Sequence, residues 1–193
     1  MGASYQNMML LEASLDAATA ALADFTGWLA AERDVVVLFL DDEGDPFDPA
    51  LPRSVSEAID SPVVRFSVFD DEVLTCEVWR QGQLAADATT QDMGEYMGLN
   101  PDELAGIEEA ASMAGFEAAL ASGAEAFASA VSRGDQAAAV AALSSALHEY
   151  HPGSQEELLR ALDLPTFAIG WDYGRLRAVG DTYSGPELID LSA

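Results

Sequence analysis

The apolar residues of this chain change their spacing part-way along the sequence, and that change limits the fold more than any other feature. Over residues 63–69 and 73–79 every second residue is apolar, which is the pattern of half-buried β-strands. In the second half, Val140, Leu143 and Leu147 recur every three or four residues, as on one face of a helix. We therefore predict an α+β fold with a mixed or antiparallel sheet, helices packed on one face and a helical C-terminal half.

We expect the two halves to form a single α+β domain over residues 1–193, because no linker-like stretch separates them. This domain is predicted to be sheet-rich over 1–90 and helix-rich over 98–164. The helical part is expected to break or bend near Gly115 and Gly123, and residues 154–157 resemble a capping box for a helix over 158–162. Four alternating residues predict a final strand over 166–176. These are Phe167, Ile169, Trp171 and Tyr173.

The charge balance excludes several kinds of partner. The chain carries 34 acidic residues against eight arginines, has no lysine, and has a formal charge of −26. Such a surface repels nucleic acid phosphates and anionic membranes, and it attracts basic proteins and hard cations. An alternative origin of the acid excess is a whole-proteome bias toward a GC-rich genome or a high-salt cytoplasm. We therefore expect no nucleic acid or membrane partner, and a basic protein as the possible partner.

The short apolar runs and the single cysteine limit the cellular locations expected for this protein. The apolar runs are short, such as the one over residues 35–40, whereas a membrane helix needs about 20 apolar residues. No basic and apolar leader opens the chain, so we expect a cytoplasmic protein. Cys76 has no second cysteine to pair with and lies in an alternating pattern, so we expect a small buried side chain.

A set of residues spread along the chain resembles a family of uncharacterised bacterial α+β proteins. The family pattern combines an N-terminal segment, an apolar strand entering an acidic loop, an acidic hairpin turn and an aromatic segment near the C-terminus. It is carried by Met1, Gly2, Ser4, Tyr5, Asn7, residues 35–48, residues 70–72, Trp79, Gly82, Leu162, Leu164, Pro165, Gly170, Trp171 and Tyr173. The resemblance implies a related fold and brings no activity, cofactor or site residue.

The acidic loop that follows residues 35–40 is the first candidate site. Its carboxylates are Asp41, Asp42, Glu43, Asp45 and Asp48. Oxygen ligands of this kind suit Ca²⁺ or Mg²⁺, although the spacing is not that of an EF-hand. The simpler interpretation is a solvated loop in which Asp48 caps a helix and Pro49 occupies its first position.

Two further clusters are candidates. Asp70, Asp71 and Glu72 join two predicted strands, where aspartate favours a turn. Three adjacent carboxylates could instead supply a general acid.

His148 and His151 have the spacing of one helix face and could share a metal, although zinc needs more ligands than these two. The simpler interpretation is that a histidine near a helix C-terminus is favoured by the helix dipole.

The sequence lacks the signals of the common catalytic classes. It has no G-x-S-x-G, no glycine-rich phosphate loop, and no lysine for a Walker motif or a Schiff base. We therefore expect no cofactor and favour a non-enzymatic protein-interaction module. The alternative is a carboxylate-based or divalent-metal-dependent hydrolase that uses the acidic residues above.

Overall fold

A computed structural model describes residues 4–41, 49–90, 113–148 and 150–191. Seven strands lie in it: β1 Tyr5–Leu11, β2 Gly27–Glu32, β3 Val35–Leu40, β4 Val63–Phe69, β5 Val73–Arg80, β6 Gln83–Thr89 and β7 Ile189–Asp190. The helices are α1 Leu15–Ala21, α2 Ala50–Ala58, α3 Met113–Val131, α4 Gln136–His148, α5 Pro152–Ala161 and α6 Tyr173–Val179, followed by a 3₁₀ turn Gly180–Thr182.

The seven strands form one sheet in the order β6-β5-β4-β1-β3-β2-β7, and every neighbouring pair is antiparallel. Strand β1 lies near the middle, where Met8 faces Leu38 of β3 on one side and Arg65 of β4 on the other. Tight turns connect β4 to β5 and β5 to β6. The turn at Gln81 and Gly82 has positive φ at both residues, the geometry that matches the twist of a hairpin.

Both faces of the sheet carry apolar residues, because neighbouring residues of a strand point to opposite sides. On one face Met9, Val37 and Phe66 pack with Phe127 of α3 and Leu143 of α4 in the larger core cluster. The C-terminal helices therefore cover this face, and the predicted α+β fold with a helical C-terminal half is confirmed.

The opposite face has its own, smaller core cluster. There Met8, Leu10 and Leu38 pack with Ala18 of α1 and Val55 of α2. The expected layout of helices on one face is thus extended by two short N-terminal helices that add cover to the second face. The six residues of β3 are all buried, which fits an unbroken apolar strand that is covered on both faces.

The predicted final strand over 166–176 is wrong. Residues 166–170 form turns, with the Ile169 amide donating to the Thr166 carbonyl and the Trp171 amide to the Ala168 carbonyl. A helix, α6, then starts at Tyr173, and the last strand is β7. Phe167 and Trp171 pack against the core, and Tyr173 in α6 stacks on Trp28, so the alternation in sequence does not reflect a strand.

Two helix predictions also need correction. Helix α3 runs without a break through Gly115 and Gly123, and a Cβ at Gly123 would lie 3.1 Å from the carbonyl oxygen of Asp87 in β6. The absence of a side chain there lets the helix approach the sheet closely. Helix α5 begins at Pro152 rather than after Ser154, and His151 is its N-cap.

Within the described parts of the chain, no helix combines the length and apolarity needed to cross a membrane.

Candidate functional site

The predicted turn Asp70–Asp71–Glu72 connects β4 and β5 and is held in a defined conformation. Asp70 and Asp71 have φ values of 51° and 57°, and the Glu72 amide donates to the Phe69 carbonyl at 3.0 Å. Two consecutive residues with positive φ form the mirror-image turn that hairpins prefer, and aspartate tolerates this conformation better than most residues do. The Asp70 amide also donates to Ser4 Oγ at 3.0 Å, which attaches the turn to the start of β1.

The antiparallel sheet brings other acids to the same end as this turn. Strand β3 ends at Leu40, so Asp41 emerges there, and its amide donates to the Thr26 carbonyl just before β2. Asp24 lies in the segment that leads into Thr26. We name this region the acidic end and define it by Asp24, Asp41, Asp70, Asp71 and Glu72. Four of these are exposed and Asp70 is half-buried.

A polar cluster of two tyrosines lies directly behind the acidic turn. Tyr5 is buried, faces Val68 across the sheet and donates its hydroxyl to Gln155 Oε1 of α5. The Tyr150 hydroxyl donates to the same oxygen at 3.2 Å. Burial is the main cause that raises the pKa of both phenols, and the nearby carboxylate of Asp71 adds to it. Both hydroxyls therefore remain protonated at neutral pH and can donate.

The two histidines do not converge on a metal. His148 is the last residue of α4 and is exposed, where its ring lies at the favourable end of the helix dipole. His151 caps α5, and its Nδ1 accepts a hydrogen bond from the Ser154 amide at 3.0 Å. That bond uses the lone pair that a metal would need on this nitrogen.

The other predicted metal ligands are only partly described. Asp42, Glu43, Asp45 and Asp48 lie outside the described residues, so the proposed loop site stays a prediction, and so does the helix cap expected at Asp48. Over residues 4–41, 49–90, 113–148 and 150–191, no group of three or more histidine, cysteine or acidic side chains is arranged to hold a metal ion. Asp70, Asp71 and Glu72 thus share a turn without forming such a group.

Most of the arginines are bound to other parts of the fold. Ion pairs join Arg33 to Glu32 and Asp163, Arg65 to Glu77, Arg133 to Asp34, and Arg160 to Glu156. Arg53 and Arg175 lie over the rings of Trp79 and Trp171. These positive charges tie structural elements together, so they are not spread evenly among the surface acids.

Three arginines mark the end of the sheet opposite the acidic end. Arg33 lies in the turn between β2 and β3, Arg80 ends β5, and Arg133 follows α3. We name this region the arginine end. Arg33 donates to Asp163 Oδ1 at 2.5 Å, and Arg133 donates to Asp34, so two ion pairs connect the β2–β3 turn with the helical layer.

The sequence pattern did not reveal a polar strip on the second face of the sheet. Arg65, Ser67 and Glu77 occupy the positions that alternation assigns to solvent, yet the Arg65 side chain is only 2% exposed and Ser67 is fully buried. Arg65 Nη2 donates to Glu77 Oε1 at 2.8 Å, and the Trp79 indole donates to Glu77 Oε2 at 2.7 Å. The sequence signal for this strip is that Arg65 and Glu77 occupy paired positions of β4 and β5. That pairing can be recognised only when the register of the two strands is known.

Cys76 and Trp79 occupy core positions, whereas the aromatic residues near the C-terminus are only half-buried. Cys76 is fully buried, and burial raises the pKa of its thiol well above the ordinary range, which disfavours the reactive thiolate. Trp79 is 4% exposed on β5. Trp171 and Tyr173 are half-buried, and Tyr173 stacks on Trp28 with ring centroids 5.0 Å apart.

The sequence matches no protein-family model, and comparisons with curated proteins and with solved structures find no match. The resemblance to uncharacterised bacterial α+β proteins therefore remains a prediction, and the functional argument rests on the geometry of the chain itself.

Proposed function

We propose that this protein is a non-enzymatic interaction module whose acidic end binds a basic segment of a partner protein. The observation that carries the proposal is the grouping of five acids, the members of the acidic end, around one turn and its neighbouring loops. At the other end of the sheet, acids such as Asp34 and Asp163 are paired with arginines. A basic partner is attracted to the whole chain by its charge of −26, and the acidic end then offers it the least repulsive approach.

The geometry of the turn supports binding rather than mere solubility. The backbone of Asp70 and Asp71 is held in the left-handed conformation, and the Asp70 amide is bonded to Ser4, so the turn loses little backbone freedom when a partner binds. A preorganised surface binds more tightly because less conformational entropy is lost on association. Behind the turn, the half-buried Tyr150 adds an aromatic surface of the kind enriched in interfaces.

The alternative function is a carboxylate-based or metal-dependent hydrolase. Its candidate ligands in the acidic loop are mostly outside the described residues, and no specific contact in the described parts favours it. A thermal melt with Ca²⁺, Mg²⁺, Mn²⁺ and Zn²⁺ tests this alternative, since an ion that binds only the folded protein raises its melting temperature.

The decisive test of the interaction proposal measures the affinity of a labelled oligolysine peptide for two variants of equal charge. The first variant combines Asp70→Asn, Asp71→Asn and Glu72→Gln. Asparagine also accepts positive φ, so the turn is expected to persist. We expect this variant to bind the peptide about tenfold more weakly, since each of three charge pairs at the surface contributes up to about 1 kcal/mol.

The matched control removes three exposed charges elsewhere. It combines Asp60→Asn, Glu125→Gln and Glu157→Gln, which lie beside the β4 start, on α3 and on α5. We expect this control to change the affinity by less than about twofold, because the affected charges are remote from the bound peptide and screened by salt. Equal weakening in both variants would show that the peptide senses only total charge and would refute a localised site.

A further inference from the structure

The arginine end contains two neighbouring clefts that share Arg80 and Pro62. One cleft of about 310 Å³ is lined by Ile59, Asp60, Ser61 and Gln81 in addition to the shared pair. The second, of about 220 Å³, lies between the end of β1 and the end of α3. Its lining includes Glu12, Ser132 and Arg133. Arg80 and Arg133 thus line the same small cleft of a strongly acidic protein.

The second cleft also holds hydrogen-bond donors that lack acceptors. Arg133 Nη2 is bound to Asp34, but Arg133 Nη1 and Ser132 Oγ are buried and have no hydrogen-bond partner among the described residues. A buried donor without an acceptor costs free energy, so these two groups favour any oxygen that can reach them. They belong to the two residues that follow α3, and both of these residues line the second cleft.

Arg80 is held less firmly than Arg133, the other arginine that lines this cleft. It is exposed, and its one hydrogen bond within the described residues is a long one, 3.4 Å to the Ala130 carbonyl. Arg133, by contrast, is anchored by its ion pair to Asp34.

We propose that this cleft binds a small phosphate-class oxyanion between Arg80 and Arg133, with Ser132 as a third donor. A tetrahedral anion presents several acceptor oxygens and therefore suits two guanidinium groups and a hydroxyl better than a single carboxylate does. Glu12 lines the same cleft and opposes an anion. The site is separate from the acidic end and does not depend on the function proposed for that end.

The test is a titration of the folded protein with inorganic phosphate, followed by NMR shifts of the backbone amides of Ser132, Arg133 and Gly134. Substituting Arg80→Gln is expected to weaken phosphate binding about tenfold or more, since charge-assisted hydrogen bonds are the strong ones. Substituting Glu12→Gln is expected to strengthen binding, because it removes the opposing charge. Thermal melts of each variant verify that the fold persists.

A matched control removes a different arginine. Arg177 is exposed on α6, outside the cleft, so Arg177→Gln changes the net charge as Arg80→Gln does and is expected to leave phosphate binding within about twofold. Equal weakening by both substitutions, or no strengthening by Glu12→Gln, would overturn the site. Acetate binding as tightly as phosphate would overturn the assignment to a phosphate-class ligand.

Salt separates this site from the acidic end. Added sodium chloride at up to about 0.1 M screens the general repulsion between phosphate and the acidic chain, so phosphate binding is expected to hold or improve. Oligolysine binding at the acidic end is expected to weaken over the same range. If salt weakened phosphate binding as much as peptide binding, the cleft would not be a site that binds an anion despite the negative charge of the whole chain.

Discussion

The two ends of the sheet are held together in different ways. At the arginine end, the pairs Arg33–Asp163 and Arg133–Asp34 join the β2–β3 turn to the helical layer through opposite charges. At the acidic end, the hydrogen bond between the Asp70 amide and Ser4 and that between Tyr5 and Gln155 involve backbone and neutral side chains. Carboxylates at the arginine end therefore support the fold through ion pairs, while the backbone of the turn at the acidic end is held by its own conformation and by Ser4.

The largest effect is expected from a change in the backbone at the acidic end of the sheet, compared with the same change at the arginine end. Gly27 opens β2 with φ of +153°, and a Cβ there would collide with the Phe39 carbonyl oxygen and lie 2.8 Å from Leu40 Cα. We expect Gly27→Ala to lower the free energy of unfolding, measured in urea, by about 2–4 kcal/mol through strain and displacement of β3.

The matched glycine lies at the arginine end. Gly134 has no atom within 4 Å of the position where a Cβ would stand. Gly134→Ala is expected to change the unfolding free energy by no more than about 0.5 kcal/mol. A similar loss in both variants would mean that Gly27 has no special steric role.

The tyrosine cluster gives the next largest effect. Tyr5→Phe removes a buried hydroxyl that donates to Gln155 and should cost about 1–2 kcal/mol in urea unfolding. Tyr173→Phe is the control, because its ring stacks on Trp28 and the stack needs no hydroxyl. If the control costs as much as Tyr5→Phe, the contact with Gln155 contributes nothing specific.

The same cluster has a predicted response to alkaline pH. Burial raises the pKa of Tyr5 in the folded protein, so the protonated phenol stabilises the fold. This contribution is fully present below the unfolded pKa of about 10 and is lost as the pH rises through the folded pKa. Urea unfolding between neutral and alkaline pH should therefore show a smaller loss of stability in Tyr5→Phe than in the wild type. Equal losses would contradict the raised pKa.

Screening of charge should have a smaller effect on stability. The charge of −26 makes the folded chain repel itself, so added sodium chloride is expected to raise the melting temperature by a few degrees. Sodium sulfate serves as the comparison, because it also strengthens the burial of apolar groups. If sodium sulfate raised the melting temperature and sodium chloride did not change it, self-repulsion would not limit the stability of the fold.

The smallest effect concerns one exposed carboxyl at the arginine end. The hydrogen bond from Arg133 holds the pKa of Asp34 below its usual range. A lowered folded pKa gives stability that is present above the unfolded value and is lost as the pH falls through the folded value. Carboxyl NMR should show the Asp34 pKa rising in Arg133→Gln and staying low in Arg177→Gln; an unchanged value in both would rule out the ion pair.

Local patterns predicted the central strands of the sheet, because alternation acts residue by residue. The hairpin over 63–79 and the buried strand β3 are found where the sequence placed them. The same reasoning failed at Trp171 and Tyr173, whose spacing imitates a strand while turns at Thr166 and Ala168 bend the backbone. Contacts between residues far apart in the chain decide the backbone conformation here, and the local sequence does not reveal those contacts.

The candidate site was only partly predictable. The turn at Asp70 and Asp71 follows from the local preference of aspartate for positive φ. The pairing of Arg65 with Glu77 depends on the register between β4 and β5, and the contact of Tyr5 with Gln155 joins residues 150 positions apart. Contacts of that kind arise from the arrangement of whole elements, so a single sequence contains no local sign of them.

The most direct test of the central claim is to map the bound oligolysine peptide by NMR chemical-shift changes on the folded chain. Our account predicts that the largest shifts fall on the amides of Ser4, Asp41, Asp70, Asp71 and Glu72, and that they fade as salt is added. Shifts spread evenly over the surface, or concentrated around Arg80 and Arg133, would contradict it.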